Sequence, residues 1–143
     1  MIHNTCNLFK IIPKEEIKRV FLESKTISSE LDYTFMGFED VYESVLKFVS
    51  KDKIIIDLGC AYAPQSHYFT DYIKYIGVDA YVDCHFKTDN MEFYNMTIQD
   101  FCKKVIEEKW NLENTFAICS YVNDEEARQK VKEIFPYCLV YYP

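Results

Sequence analysis

Two acids stand at the ends of two short apolar runs. Asp57 closes Lys53-Ile-Ile-Ile56 and Asp79 closes Tyr75-Ile-Gly-Val78, with the small-residue stretch Leu58-Gly-Cys-Ala-Tyr-Ala-Pro64 after the first. An apolar run ending in an acid and a tight turn is how a nucleotide-binding parallel sheet begins, because the turn brings main chain and the start of the next helix against a ligand. A carboxylate about twenty positions further on can accept both hydroxyls of a ribose, which makes Asp79 a candidate ligand. Each acid also has a plainer reading: Asp57 can hold the amides of the turn, and for Asp79 ligand and structural roles weigh evenly.

Other reactive side chains are few. Cys119-Ser-Tyr-Val-Asn-Asp124 ends a later apolar run and places Ser120, Tyr121, Asn123 and Asp124 near the same crevice, where Asn123 as a helix cap is the plainer reading. His67 follows the small-residue turn, and a solvated or satisfied helix histidine explains it. Cys84 and His85 are adjacent but lack a second pair to complete four metal ligands, so no metal site is expected. The six cysteines include no CxxC pair and sit mostly in apolar stretches, as reduced, buried thiols in a cytoplasmic protein do.

The elements that would position these groups follow from periodicity. Ile17, Val20 and Phe21 after Pro13 predict a helix over 14–24, and Val41, Val45, Leu46, Phe48 and Val49 predict a second one ending near 50–53. From there the pattern alternates: strand 53–58, helix about 65–74, strand 75–79, an irregular stretch 80–90, strand 91–96, helix 98–109, strand 115–122, helix 124–135 and strand 137–142. Ile98, Phe101, Cys102, Val105 and Ile106 form one apolar stripe, and Asn123 with Glu126 reads as a capping box opening the last helix. Tyr33, Phe35, Phe38 and Tyr42 make an aromatic patch that reads as core packing rather than a stacking platform.

Short apolar strands alternating with helices mean a parallel sheet covered on both faces. The expected architecture is a Rossmann-like, doubly wound α/β fold of about five parallel strands in the order 3-2-1-4-5, behind two N-terminal helices. The switch point then lies between strands 1 and 4, with a crevice lined by 57–66, 79–81, 97–101 and 119–124. The chain of 143 residues is expected to form one domain, with an N-terminal helical segment over 1–52 and an α/β core over 53–143.

A net charge of −7 argues against a broad nucleic-acid surface. No apolar run approaches membrane-spanning length and Leu8 to Ile12 is interrupted by Lys10, so neither a membrane protein nor a signal peptide is expected.

Residues 38–143 resemble the class I S-adenosylmethionine-dependent methyltransferases. That family's first strand ends in D-x-G-C-G-x-G; here Asp57, Gly59 and Cys60 match, while Ala61 and Ala63 replace two glycines. The resemblance implies S-adenosylmethionine as cofactor, with the turn from Asp57 through Gly59, Cys60 and Ala61 facing the methionine moiety and Asp79 holding the ribose. Met96-Thr-Ile-Gln-Asp-Phe101 is similar to the third motif, which makes Asp100 and Phe101 the adenine clamp, and Ser120 falls at the crevice. The family's sheet continues past strand 5, whereas this sequence closes at Tyr141-Tyr-Pro143, and the Asn/Asp-Pro-Pro-Tyr motif of many amino-group methyltransferases is absent.

Two functions compete: an S-adenosylmethionine-binding methyltransferase-like protein with an open acceptor, and a non-catalytic accessory or protein-interaction domain on the same fold. The edge formed by strand 5 offers a surface for a partner or a homodimer. Dinucleotide redox chemistry is weaker, because the turn lacks GxGxxG.

Overall fold

The computed structural model describes residues 10–23, 39–82 and 86–143. In chain order the elements are β1 (Lys10–Ile11), α1 (Ile17–Glu23), α2 (Glu39–Phe48), β2 (Ile54–Leu58), a 3-10 helix (Pro64–Phe69), β3 (Lys74–Val78), β4 (Phe86–Lys87), β5 (Met91–Tyr94), α3 (Ile98–Glu107), β6 (Thr115–Ser120), α4 (Glu125–Ile134) and β7 (Cys138–Tyr141). Of the expected aromatic patch, Tyr33, Phe35 and Phe38 lie outside the described residues, as do Cys84 and His85.

Five strands form one parallel sheet in the order β5-β3-β2-β6-β7, which is the order 3-2-1-4-5 that the alternation of strands and helices predicts. Central β2 has neighbours and helices on all sides, so its isoleucines carry no polar alternation. Ile55 packs under α1, α2 and the 3-10 helix with Ile17, Phe21, Val45, Phe69 and Tyr75. Ile56 and Leu58 face the other way, against Phe101, Val105, Ala127 and Val131 of α3 and α4. Each such fully buried aliphatic side chain stabilises the fold by about 1.5–3 kcal/mol.

Three local expectations need correction. The helix expected over 65–74 is a 3-10 helix of six residues. The chain must return to β3 at once: the Tyr72 hydroxyl donates to the Val49 carbonyl at 2.6 Å and the Ile73 amide to the Lys51 carbonyl at 3.1 Å, pinning residues 72–73 under α2 instead of extending the helix. The cap of α4 is Asp124 rather than Asn123, its carboxylate accepting from the Ala127 amide at 3.1 Å, so the expected capping box with Glu126 does not form. Within 80–90, β4 pairs in parallel with β1, Lys10 opposite Phe86 and Ile11 opposite Lys87. A two-residue pair leaves no readable period in the sequence.

The turn after β2 is the local feature that matters most. Gly59, Ala61 and Ala63 all take left-handed backbone, with φ of 82°, 53° and 59°. The alanines therefore follow the path that glycines favour, against a strain of about 1 kcal/mol each. Ala61→Gly should raise stability by about 0.5 kcal/mol, because relief of that strain exceeds the entropy gained by the unfolded chain. Ala63→Gly should instead lower it by about 0.5–1 kcal/mol, since Ala63 is fully buried and its methyl group packs in the core. Urea denaturation of the two variants checks the pair of signs.

Candidate functional site

β2 and β6 are sequence-distant neighbours whose following segments diverge to opposite faces of the sheet, and a cleft opens at their carboxyl ends. Its volume is about 380 Å³, and it is lined by Gly59, Ala61, Asp79–Tyr81, Met96–Gln99, Tyr121–Asp124 and Ala127. This is the place where open α/β sheets take ligands. Of the residues expected at the site, Gly59, Ala61 and Asp79 line it, whereas Asp57, Cys60, Asp100, Phe101 and Ser120 do not.

Asp79 ends β3 and binds the loops on both sides. Its Oδ2 accepts from the Ala61 amide at 2.9 Å, and its Oδ1 accepts from the amides of Tyr81 at 2.8 Å and Val82 at 3.1 Å. Three backbone donors occupy most of the roughly four acceptor directions of a carboxylate, leaving about one at Oδ2. The acid is thus both a wall of the cleft and the clasp of the turn. Asp79→Asn puts an amide N–H against a backbone N–H on one side or the other, so it should cost about 1.5–3 kcal/mol as well as any affinity. Thermal melts set beside ligand titrations would show both losses; a variant with native stability would contradict the clasp.

Asp57 lies beneath the turn and is fully buried. It points to the α2 side of the sheet, where it accepts from the hydroxyls of Tyr42 at 3.2 Å and Tyr75 at 2.5 Å and from Gln65 Nε2 at 2.8 Å. Burial outweighs these three donors and, with a smaller push from Asp79, raises its pKa to about 6. Gln65 Nε2 also donates to the Cys60 carbonyl at 3.0 Å, which ties the turn to the buried acid. The Cys60 thiol is buried and held well above its ordinary pKa, first by desolvation and then by Asp57 and Asp79, so it is not a nucleophile. Glycine at 77 makes room here, since a Cβ would meet the Phe93 ring at 2.6 Å and Cys60 Sγ at 2.8 Å.

Phe101 is fully buried on α3, its ring 5.5 Å from that of Tyr94 and 5.4 Å from that of Trp110. Asp100 is exposed in the first turn of the same helix. The expected adenine clamp therefore does not reach the cleft, because the helix starts at Ile98 and turns both side chains away. Met96, Thr97, Ile98 and Gln99 occupy the wall instead, and Gln99 Nε2 reaches Asp124 Oδ2 at 3.0 Å and Glu126 Oε1 at 3.1 Å. Thr97, Ile98 and Gln99 fall within the expected lining 97–101, whereas Met96, the first residue of the stretch matched to the third motif, lies just outside it.

Ser120 shares the α2-side face of β6 with Phe116 and Ile118. Its hydroxyl is buried without a partner, as are the Ser66 hydroxyl and Gln65 Oε1. His67 stands off the cleft, half-buried with its ring 4.2 Å from that of Tyr68, and its pKa is pushed down to about 4 by burial and by Lys18. Tyr121 takes left-handed backbone at the cleft rim, φ 60°, with its ring 5.3 Å from that of Tyr141. Among the described residues no group of three or more His, Cys, Asp or Glu is placed to hold a metal ion, and no helix is long and apolar enough to cross a membrane.

No family model matches the chain, and no curated protein matches it. Two solved structures of the plantazolicin methyltransferase BpumL are similar to it, one in complex with SAH and one with SAH and a monoazolic desmethylPZN analog. Each aligns with a TM-score of 0.44 and 12% identity over 88% of this chain. The chain spans 54% of the length of those proteins. Likeness at that level bears on neither ligand nor reaction; the Rossmann-like arrangement of five parallel strands rests on the strand order itself.

Proposed function

We propose that the cleft binds S-adenosylmethionine and that the protein is methyltransferase-like, with its acceptor open. The observation that carries this reading is the left-handed turn Gly59–Ala63, which lies beside Asp79 at the switch point and keeps a glycine-type path despite its alanines. The residues present fit such a group. Asp79 Oδ2 retains one acceptor direction for a ribose hydroxyl, and Met96 and Ile98 give an apolar wall for a base. Asp79 and Asp124 add negative charge that favours a cationic sulfonium. When bound, S-adenosylmethionine supplies an electrophilic methyl group on that sulfonium; the chain's own part is to position it and exclude water. Calorimetric titration with S-adenosylmethionine tests the proposal: a saturable isotherm is expected, and no heat at millimolar ligand would defeat it.

A specific observation favours a second reading for turnover. Among the described residues the cleft wall holds no His, Lys, Arg or Cys, and its carboxylates Asp79 and Asp124 are engaged by backbone amides. A protein that binds the ligand without transferring its methyl group, as an accessory or interaction domain, accounts for that wall. The outer strand β7, with Tyr141 exposed on it and Tyr137 exposed just before it, is its natural contact surface, for a second copy or another protein. Incubation with labelled cofactor and cell extract separates the two readings, since transfer of label to any acceptor excludes the accessory role.

A further inference from the structure

The network around Asp57 joins α2, β3 and the 3-10 helix to the central strand β2 at one carboxylate. Tyr42 comes from α2, Tyr75 from β3 and Gln65 from the 3-10 helix, and all three donate to one carboxylate. Only Gln65 is shared with the turn, through its second bond to the Cys60 carbonyl. Its own oxygen, Oε1, is buried and bonds to nothing. A buried orphan acceptor is costly, and here it lies on a side chain already bonded to Asp57, whose protonated form has a hydrogen bond to donate.

We propose that Asp57 and Gln65 form a proton-operated latch on the turn Gly59–Ala63. With Asp57 ionised, Gln65 Nε2 bridges the carboxylate and the Cys60 carbonyl and holds the turn down. When Asp57 takes a proton it becomes a donor; the Gln65 amide turns over, Oε1 accepts a hydrogen bond from the carboxyl O–H, and the same oxygen now faces the Cys60 carbonyl. Two acceptors repel at that distance, so the turn is released. The titratable groups facing Asp57 are Tyr42 from α2, Tyr75 and Asp79 from β3 and its end, Cys60 in the turn and Cys119 from β6. Burial holds both tyrosines well above their ordinary pKa and pushes Cys119 up to about 12, so none of them competes for the proton near neutrality. Asp79 stands on the far side of the turn and touches it at the Ala61 amide rather than at Cys60. The consequence for affinity, tighter binding on the alkaline side, rests on the cleft reading; the latch itself does not.

Amide spectra of the ¹⁵N-labelled full chain from about pH 4.5 to 8 test the latch without any ligand. The backbone amides of Gly59, Cys60 and Ala63 and the side-chain amide of Gln65 should shift together with one midpoint near 6, the value at which Asp57 titrates. In Gln65→Ala the Asp57 carboxyl carbon should still titrate while the turn amides stop following it. Turn amides that stay fixed while Asp57 titrates in the native protein overturn the latch, and that result needs no variant to fold. Amides that titrate equally in Gln65→Ala overturn it too, because the change would then reach the turn without Gln65. Failure here leaves the cleft reading intact, and failure to bind cofactor leaves the latch intact.

Discussion

Phe101→Ala should lower stability by about 3–5 kcal/mol and leave affinity for an adenosyl ligand unchanged in the protein that remains folded. The ring is fully buried between Tyr94 and Trp110, and it contacts the α3 and α4 side of the sheet rather than the cleft. Truncation leaves a cavity in a close-packed layer and removes an edge-on contact with Trp110 and a tilted one with Tyr94. Denaturant unfolding gives the first number and titration below the unfolding transition gives the second. A stable variant with weakened binding would restore Phe101 to the site.

Asp57 should make the protein progressively less stable as pH rises from about 4 to about 6. Its carboxyl has a pKa near 3.8 when unfolded and about 6 when folded, so the folded state binds the proton more tightly. The stabilisation is fully present below the unfolded value and is lost as pH climbs through the folded one, a difference of about 3 kcal/mol. Above that range the contribution is flat. Asp57→Asn should remove the decline, because an asparagine amide fits the same cage once the Tyr42 and Tyr75 hydroxyls rotate and Gln65 presents Oε1. Subtracting the two pH profiles of unfolding free energy isolates the carboxyl from the other acids. Parallel profiles would mean that Asp57 stays ionised throughout.

Strand identity and order were legible because Ile54–Ile56, Tyr75–Val78 and Phe116–Cys119 are continuous apolar runs between helical periods, and right-handed crossovers permit few ways to join them. The position of the cleft followed from that order. What the residues there do was less legible. Alanine prefers right-handed backbone, so nothing in Ala61 or Ala63 announces a left-handed turn; the constraint comes from Asp79 Oδ2 gripping the Ala61 amide and from Pro64 beginning the next helix. The Asp57 cage draws on residues 42, 65 and 75, which no local pattern connects. Phe101 is a different case. Its place in the stripe Ile98, Phe101, Cys102, Val105 already marked it as core, and helical phase outweighs motif position where the two conflict. The same phase fails at Ile106, which is 58% exposed at the stripe's edge.

Shift mapping with S-adenosylhomocysteine shows whether the cleft beside the Gly59–Ala63 turn takes an adenosyl ligand. Saturable changes are expected at the amides of Gly59, Ala61, Asp79–Tyr81 and Met96–Gln99, with Asp100 and Phe101 moving less and the outer face of α4 unchanged. A spectrum that does not respond at millimolar ligand, or one whose changes gather on another surface, would contradict binding there.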